Sequence, residues 1–177
     1  MTLVLPPTFR SEHLARGVEL ITPPSYPDER GAFSPTWIDI PRELYQRGTE
    51  WCQDSEVYSR DSATLRGLHY QDPPQAKLVR VLRGAIYDVA VDLTDFHLVT
   101  VNLSPGKWLY IPPGFAHGYW TLEPETLVTY KVDRPWNPKA EFGLRWNDPT
   151  LDIAWPGEFP RLSAKDQAWP LLKELVA

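Results

Sequence analysis

Four side chains in this sequence could move a proton near neutral pH: His13, His69, His97 and His117. Imidazole ordinarily changes charge in that range, so each is a candidate general base, general acid or metal ligand. His13 sits in a charged N-terminal segment and His97 in a predicted loop, and both read as solvated. His69 and His117 are different. His69 lies in Leu65-Arg-Gly-Leu-His-Tyr-Gln71, on the strand face opposite Leu68 and Tyr70. His117 lies in Ile111-Pro-Pro-Gly-Phe-Ala-His-Gly118, where a turn enters a strand. For either one the plain structural reading is a hydrogen-bonded residue of the core or rim. A metal centre on a β-scaffold needs closely spaced histidines and a carboxylate that converge on one point. His69 is followed by Tyr70-Gln71-Asp72-Pro73-Pro74 with no second histidine nearby, so the spacing speaks against a metal site.

Three further residues sit where chemistry or structure could claim them. Tyr130 shares a strand face with Val128 and Val132, which turns its ring inward; on pattern it is an aromatic filler whose hydroxyl finds one partner. Lys77 opens a strand on the face of Val79 and Val81, and reads as an exposed edge lysine. Asp166 follows Ser163 at capping-box spacing, which gives it a purely structural alternative.

These residues are positioned by a β-rich chain. From Leu65 to Lys131 short segments alternate apolar and polar residues, with turn signals about every 8–12 residues, the pattern of a sandwich or barrel. Lys77 to Leu82 and Ala85 to Leu93 are predicted strands joined at Arg83-Gly84 by a tight hairpin. In the second, Ala85, Tyr87, Val89, Val91 and Leu93 share one face, and Ile86, Asp88, Ala90 and Asp92 the other. Leu98 to Leu103 and Lys107 to Ile111 flank a Ser104-Pro105-Gly106 turn. His117 to Leu122 and Leu127 to Val132 are expected to form a further pair. Thr22 to Ser34 reads as a turn-rich loop, and Pro41 to Gly48 as one short helix. The segment from Ser163 reads as helical, interrupted by Pro170.

The 177 residues fit one domain, 1–177, long enough to bury a core. The 19 prolines and 8 tryptophans argue against long helices. A net charge of -5 gives no support for nucleic acid or an anionic membrane as partner, and leaves room for a local cationic pocket. The single cysteine, Cys52, rules out an internal disulfide and reads as a small buried hydrophobe. No apolar run approaches the roughly 18 residues of a membrane helix. The N-terminus lacks a basic region followed by a sustained apolar one, so the expected compartment is the cytoplasm.

Several motifs together carry a resemblance. They are Asp28-Glu-Arg-Gly-Ala-Phe33, Leu65-Arg-Gly-Leu-His-Tyr-Gln71, Lys77-Leu-Val-Arg-Val81 and Tyr87-Asp-Val-Ala-Val-Asp92. Ile111-Pro-Pro-Gly-Phe-Ala-His-Gly118, Tyr130-Lys131, Arg145-Trp-Asn-Asp-Pro149 and Leu162-Ser-Ala-Lys-Asp166 complete them in order. From about Val18 to Leu172 the chain resembles the dTDP-4-dehydrorhamnose 3,5-epimerases. The resemblance implies an all-β, cupin-type jelly-roll barrel with a few short helices. It implies a homodimer whose N-terminal strands exchange between subunits, and a reaction that uses no cofactor and no metal. It matches His69 to a general base, Tyr130 to a general acid, Lys77 to the cation beside the C4 carbonyl oxygen and Asp166 to the carboxylate behind the base. It places Arg66 and His117 along the sugar and phosphate, with Asp88 behind them. Trp136 stands where the family stacks a tyrosine on the nucleotide base, and Arg30, Phe33, Glu141 and Lys165 match other substrate contacts.

The implied chemistry needs these residue types. A C4 ketone acidifies the hydrogens at C3 and C5, so a base can remove one and leave an enolate. A cation stabilises the developing oxyanion, and inversion needs an acid on the opposite face of the ring. The chain departs from the family at Pro35, where a Glu is common, and at Asp54-Ser55-Glu56, where an ungapped alignment puts Gln-x-Asn. The stretch from Thr94 to Leu103 is also shorter than usual. Carboxylates at 54 and 56 would repel a diphosphate, so either they face elsewhere or the substrate differs. The expected activity is epimerisation at C3, C5 or both of a nucleotide-diphosphate-linked 4-keto-6-deoxy sugar. The alternatives are a single-centre epimerase and a nucleotide-sugar-binding cupin without activity, the second disfavoured because binding alone needs neither His69 nor Tyr130.

Overall fold

In the computed structural model, residues 8–36 and 50–175 are described; the short helix expected over Pro41 to Gly48 lies outside them. The N-terminal part forms strands β1 (Arg10–Ala15), β2 (Val18–Thr22), β3 (Tyr26–Asp28) and β4 (Gly31–Phe33). Then come β5 (Gln53–Ser59), β6 (Leu65–Gln71), β7 (Lys77–Arg83), β8 (Ile86–Asp92) and β9 (Leu98–Leu103). The last strands are β10 (Trp108–Ile111), β11 (Phe115–Thr121), β12 (Thr126–Val132) and β13 (Glu141–Gly143). Helices α1 (Ala164–Ala168) and α2 (Leu172–Leu175) close the described chain on either side of Pro170.

Two sheets face each other. One runs β1-β2-β10-β7-β12-β5 and the other β13-β6-β11-β8-β9, while β3 and β4 form a separate hairpin. This is the jelly-roll that the resemblance implies. From β6 to β12 the chain changes sheet at nearly every connection, so neighbours in sequence are seldom neighbours in a ladder.

That crossing corrects several expectations. β7 and β8 lie in different sheets, so Arg83-Gly84 joins no hairpin. β11 and β12 are likewise unpaired: β11 bonds to β6 and β8, and β12 to β5 and β7. Lys77 is not on an edge, because β7 is hydrogen-bonded on both sides, to β10 and β12. The expected loop around Thr22 to Ser34 contains the β3–β4 hairpin. Cys52 is exposed rather than buried: it precedes β5, an edge strand, on the outward side that also carries Asp54 and Glu56.

The alternation itself holds. Ile86 and Ala90 of β8 turn inward and pack with Val79, Val81, Leu109 and Val128 between the sheets. Val89 and Val91 turn outward, where Leu68, Leu144, Leu151 and Leu172 cover them. The C-terminal segment thus seals the outer face of the five-stranded sheet. Each such aliphatic side chain contributes about 1.5–3 kcal/mol when fully buried, and Asp88, on the inward face between Ile86 and Ala90, is the exception that needs a partner.

Candidate active site

The inward faces of both sheets, together with the C-terminal segment, enclose a cavity of about 450 Å³. β6 brings His69 and Arg66 to it, β7 brings Lys77, β11 His117, β12 Tyr130, and the segment after Leu162 supplies Lys165 and Asp166.

Two glycines let β6 and β11 bring their histidines face to face. His117 lies opposite His69 in the ladder, and the register then slips so that Tyr119 meets Arg66. At the slip Gly67 has φ +137°, and a Cβ there would come within 2.5 Å of the Gly118 Cα. A Cβ on Gly118 would in turn lie 2.8 Å from the Arg66 carbonyl oxygen. The glycines of Leu-Arg-Gly-Leu-His and Ala-His-Gly are thus needed for this close approach of backbones.

His69 is held by Asp166. Ser163 caps α1, its Oγ accepting from the Asp166 amide at 3.0 Å. The same residue sends its carboxylate back to the barrel, with Oδ1 2.5 Å from His69 Nε2. The cap and the histidine contact are therefore two functions of one turn. Trp169 donates its Nε1–H to Asp166 Oδ1 at 3.3 Å and sets its ring edge-on to His69, centroids 6.0 Å apart. Only a residue without a side chain fits beneath it: a Cβ on Gly143 would lie 2.4 Å from the indole. Burial works to raise the Asp166 carboxyl, but the His69 bond and charge, with Ser163 and Trp169, hold it below its usual value. An ionised carboxylate can only accept, so Nε2 of His69 donates to it, and in the neutral imidazole the lone pair then lies on Nδ1.

Nδ1 lies 3.8 Å from Glu141 Oε1. The other oxygen of Glu141 accepts from Lys165 Nζ at 2.5 Å and from Trp136 Nε1 at 2.9 Å. Burial favours the neutral Glu141 acid, yet these two donors keep it ionised. Glu141 therefore ties Lys165 and the half-exposed Trp136 to the cavity mouth. Deeper in, Asp88 is 0% exposed and both its oxygens lie 3.0 Å from His117 Nε2. Burial pushes His117 below the ordinary imidazole value, against the opposing pull of Asp88. Lys77 donates to the His69 carbonyl oxygen at 3.2 Å. Burial brings its amine down to about 8, with Asp88 and Glu141 resisting the fall.

Ten of the twelve residues matched from sequence thus line this cavity or, like Asp88, bond directly to its wall. Arg30 and Phe33 do not. They sit on the β3–β4 hairpin, where Arg30 pairs with Asp28 at 2.7 Å and Phe33 is 68% exposed. The two carboxylates of Asp54 and Glu56 face away from the cavity. Asp54 bonds Lys131 at 2.6 Å on the outer surface, and Gln53 and Ser55 take the inward positions of β5. Gln53 accepts from the Trp136 amide at 2.9 Å and donates to Ser55 Oγ at 2.9 Å. Sequence reasoning missed Gln53, Ser55, Trp169 and Tyr119. For Tyr119 a signal existed, since it lies two residues past His117 on the same strand face; for Trp169 none did. Among the described residues no group of three or more His, Cys, Asp or Glu is arranged to hold a metal ion, and no helix is long and apolar enough to cross a membrane.

A histidine oriented by a carboxylate, with a lysine on the neighbouring wall and a phenol from the opposite sheet, is an arrangement that could transfer protons. Comparison with known proteins identifies the family. A curated dTDP-4-dehydrorhamnose 3,5-epimerase of Sinorhizobium fredii is 41% identical over 94% of this chain and 90% of its own length. The crystal structure of the Bacillus anthracis enzyme of that name, with TDP and PPi bound, superposes with a TM-score of 0.88 at 38% identity, covering 93% of this chain and 100% of that one. A Legionella pneumophila dTDP-6-deoxy-D-glucose-3,5-epimerase in complex with dTDP-4-keto-L-rhamnose gives a TM-score of 0.87 at 36% identity, over 93% of each chain. The family model described as dTDP-4-dehydrorhamnose 3,5-epimerase matches residues 13–174, and the chain belongs to that family.

Proposed function

We propose that this chain epimerises a dTDP-linked 4-keto-6-deoxy sugar at C3, C5 or both. The observation that carries the reading is the 2.5 Å contact between Asp166 and His69 Nε2, which leaves Nδ1 as a base inside a cavity that also holds Lys77 and Tyr130. His69 takes a proton from carbon next to the C4 ketone, and the electron pair of that C–H bond moves into the carbonyl to give an enolate. The ammonium of Lys77 faces the oxygen that gains charge. Tyr130 returns a proton to the carbon from the other side, and the sugar is inverted at that centre. A phenol suits this step because it stays protonated at neutral pH until a strong base forms. One proton leaves and one arrives, so the carbon skeleton changes configuration without changing oxidation state.

The rest of the assignment follows the cavity. Trp136 offers an aromatic face at the mouth for the nucleotide base, with Lys165 for the diphosphate, while Glu141 orders both rather than meeting phosphate itself. Arg66 and His117, backed by Asp88, flank the sugar. Arg30 and Phe33 contact substrate only in a homodimer, where an exchanged N-terminal segment carries the hairpin of one subunit to the cavity of the other. The exposure of Phe33 supports that arrangement, as does the absence of both residues from their own chain's cavity. The reading places the enzyme in the cytoplasm. Incubating the protein with dTDP-4-keto-6-deoxyglucose in D2O and locating deuterium by NMR tests it. Deuterium at C3, C5 or both is expected; none at either carbon refutes the reading and favours a binding cupin.

A further inference from the structure

One buried polar group in the cavity has no task in this acid–base scheme. Tyr119 lies on β11 two residues beyond His117, so both side chains turn inward, and it lines the same cavity. Its side chain packs in the barrel core at 4% exposure, a space a phenylalanine ring would fill equally well. The hydroxyl, however, is buried and has no hydrogen-bond partner among the described residues. An unsatisfied buried hydroxyl is a cost to the fold and calls for something that offsets it.

The surroundings indicate what that is. In the ladders Tyr119 is opposite Arg66 on one side and Asp88 on the other, and its ring centroid is 6.3 Å from that of His117. The charge of Arg66 acts on the phenol more strongly than that of Asp88, but its hydrogen bonds go elsewhere: its Nη2 donates to the Tyr58 carbonyl oxygen at 3.2 Å and its Nε to Ser59 Oγ at 3.4 Å, both on β5. The Tyr119 hydroxyl is thus left a free donor at a ladder position between Arg66 and Asp88. A neutral donor whose neighbouring cation is already bonded to β5, and whose other ladder neighbour is a carboxylate, suits a sugar hydroxyl better than a phosphate. Burial also pushes the phenol well above its ordinary value, so it stays a donor across the working pH range.

We propose that the Tyr119 hydroxyl donates a hydrogen bond to an oxygen of the sugar in the bound nucleotide sugar, making it a residue that selects for the sugar rather than for the nucleotide. The inference rests on the proposed function, because it assumes that a nucleotide sugar occupies the cavity. Tyr119→Phe removes the hydroxyl alone. Calorimetry with two probes, dTDP and dTDP-glucose, then separates the parts of the ligand. The variant should bind dTDP within about twofold of wild type and dTDP-glucose about five- to tenfold more weakly, the effect of one neutral hydrogen bond. Its kcat/KM on the 4-keto sugar should fall at least as far, and its Tm should be unchanged or higher, since an unpaired hydroxyl has been removed. Equal dTDP-glucose affinity in the two proteins overturns the proposal. So does an equal weakening toward both probes, which would put the contact on the nucleotide. A wild-type protein that binds dTDP-glucose but catalyses no exchange refutes the proposed reaction, and the binding comparison still decides the role of Tyr119.

Discussion

Replacing Asp166 by Asn tests the pair on which the base depends. The substitution keeps the shape and removes the charge. Two effects add. The 2.5 Å contact with His69 is charge-assisted, and exchanging a bond to an ionised acceptor, worth roughly 1.5–3 kcal/mol, for a neutral one of roughly 0.5–1.5 costs about 1–2 kcal/mol of support for the imidazolium that forms on proton abstraction. That alone is about 5- to 30-fold in rate. The amide can also turn its NH2 toward Nε2, which places the imidazole proton on Nδ1 and removes the lone pair from the reacting nitrogen. Loss of an orienting carboxylate behind a catalytic imidazole has cost about 10⁴ where the tautomer inverts. A fall in kcat/KM of about 10²- to 10³-fold is therefore expected for Asp166→Asn, with deuterium wash-in slowed equally at every exchanging carbon and dTDP affinity unchanged. The stability profile carries an independent signature. Asp166 is held below its usual value of 3.8, so its contribution is complete above that pH and is lost as pH falls through the lower folded value. The stability deficit of the variant should be full at neutral pH and shrink below about pH 4. A variant within about threefold of wild-type kcat/KM would refute the reasoning and make the Ser163 cap the whole purpose of Asp166.

Tyr130→Phe should retain proton abstraction, seen as solvent exchange without inversion, while the yield of inverted sugar falls by about 10² or more; product analysis showing normal inversion would return Tyr130 to the role of core filler. Lys77 acts as a cation whose amine titrates at about 8, so the rate should fall as pH rises through about 8, and Lys77→Met should be slower by about 10²- to 10³-fold and lose that alkaline limb. Because the folded value lies below the ordinary 10.5, the protonated amine opposes folding, and the wild type should gain stability relative to Lys77→Met between about pH 8 and 10.5.

The sequence shows faces more readily than partners. Period-two alternation correctly turns Tyr130 inward with Val128 and separates Ile86, Asp88 and Ala90 from Val89 and Val91. It carries no information on which strands pair, and a short turn such as Arg83-Gly84 looks the same whether it closes a hairpin or crosses to the other sheet. That ambiguity produced the mistaken pairing of β11 with β12 and the mistaken edge position of Lys77. The site shows the same division. His69 and Asp166 are 97 residues apart, and no local spacing could join them; only the order of the motifs did. The inward side of Asp54-Ser55-Glu56 was a question of register, where a slip of one residue exchanges the two faces. Gln53 and Ser55 face the cavity and the acids face solvent, so those acids bring no repulsion to the cavity.

The central claim is that His69 is the single base for every exchanging carbon. His69→Asn and wild type should be compared for deuterium incorporation from D2O into dTDP-4-keto-6-deoxyglucose, followed by NMR at C3 and C5, with Tm and dTDP affinity measured on the same preparations. The account predicts no detectable incorporation at either carbon in a variant that folds and binds dTDP as wild type does. Substantial incorporation at either carbon in that variant would contradict it and assign the base elsewhere.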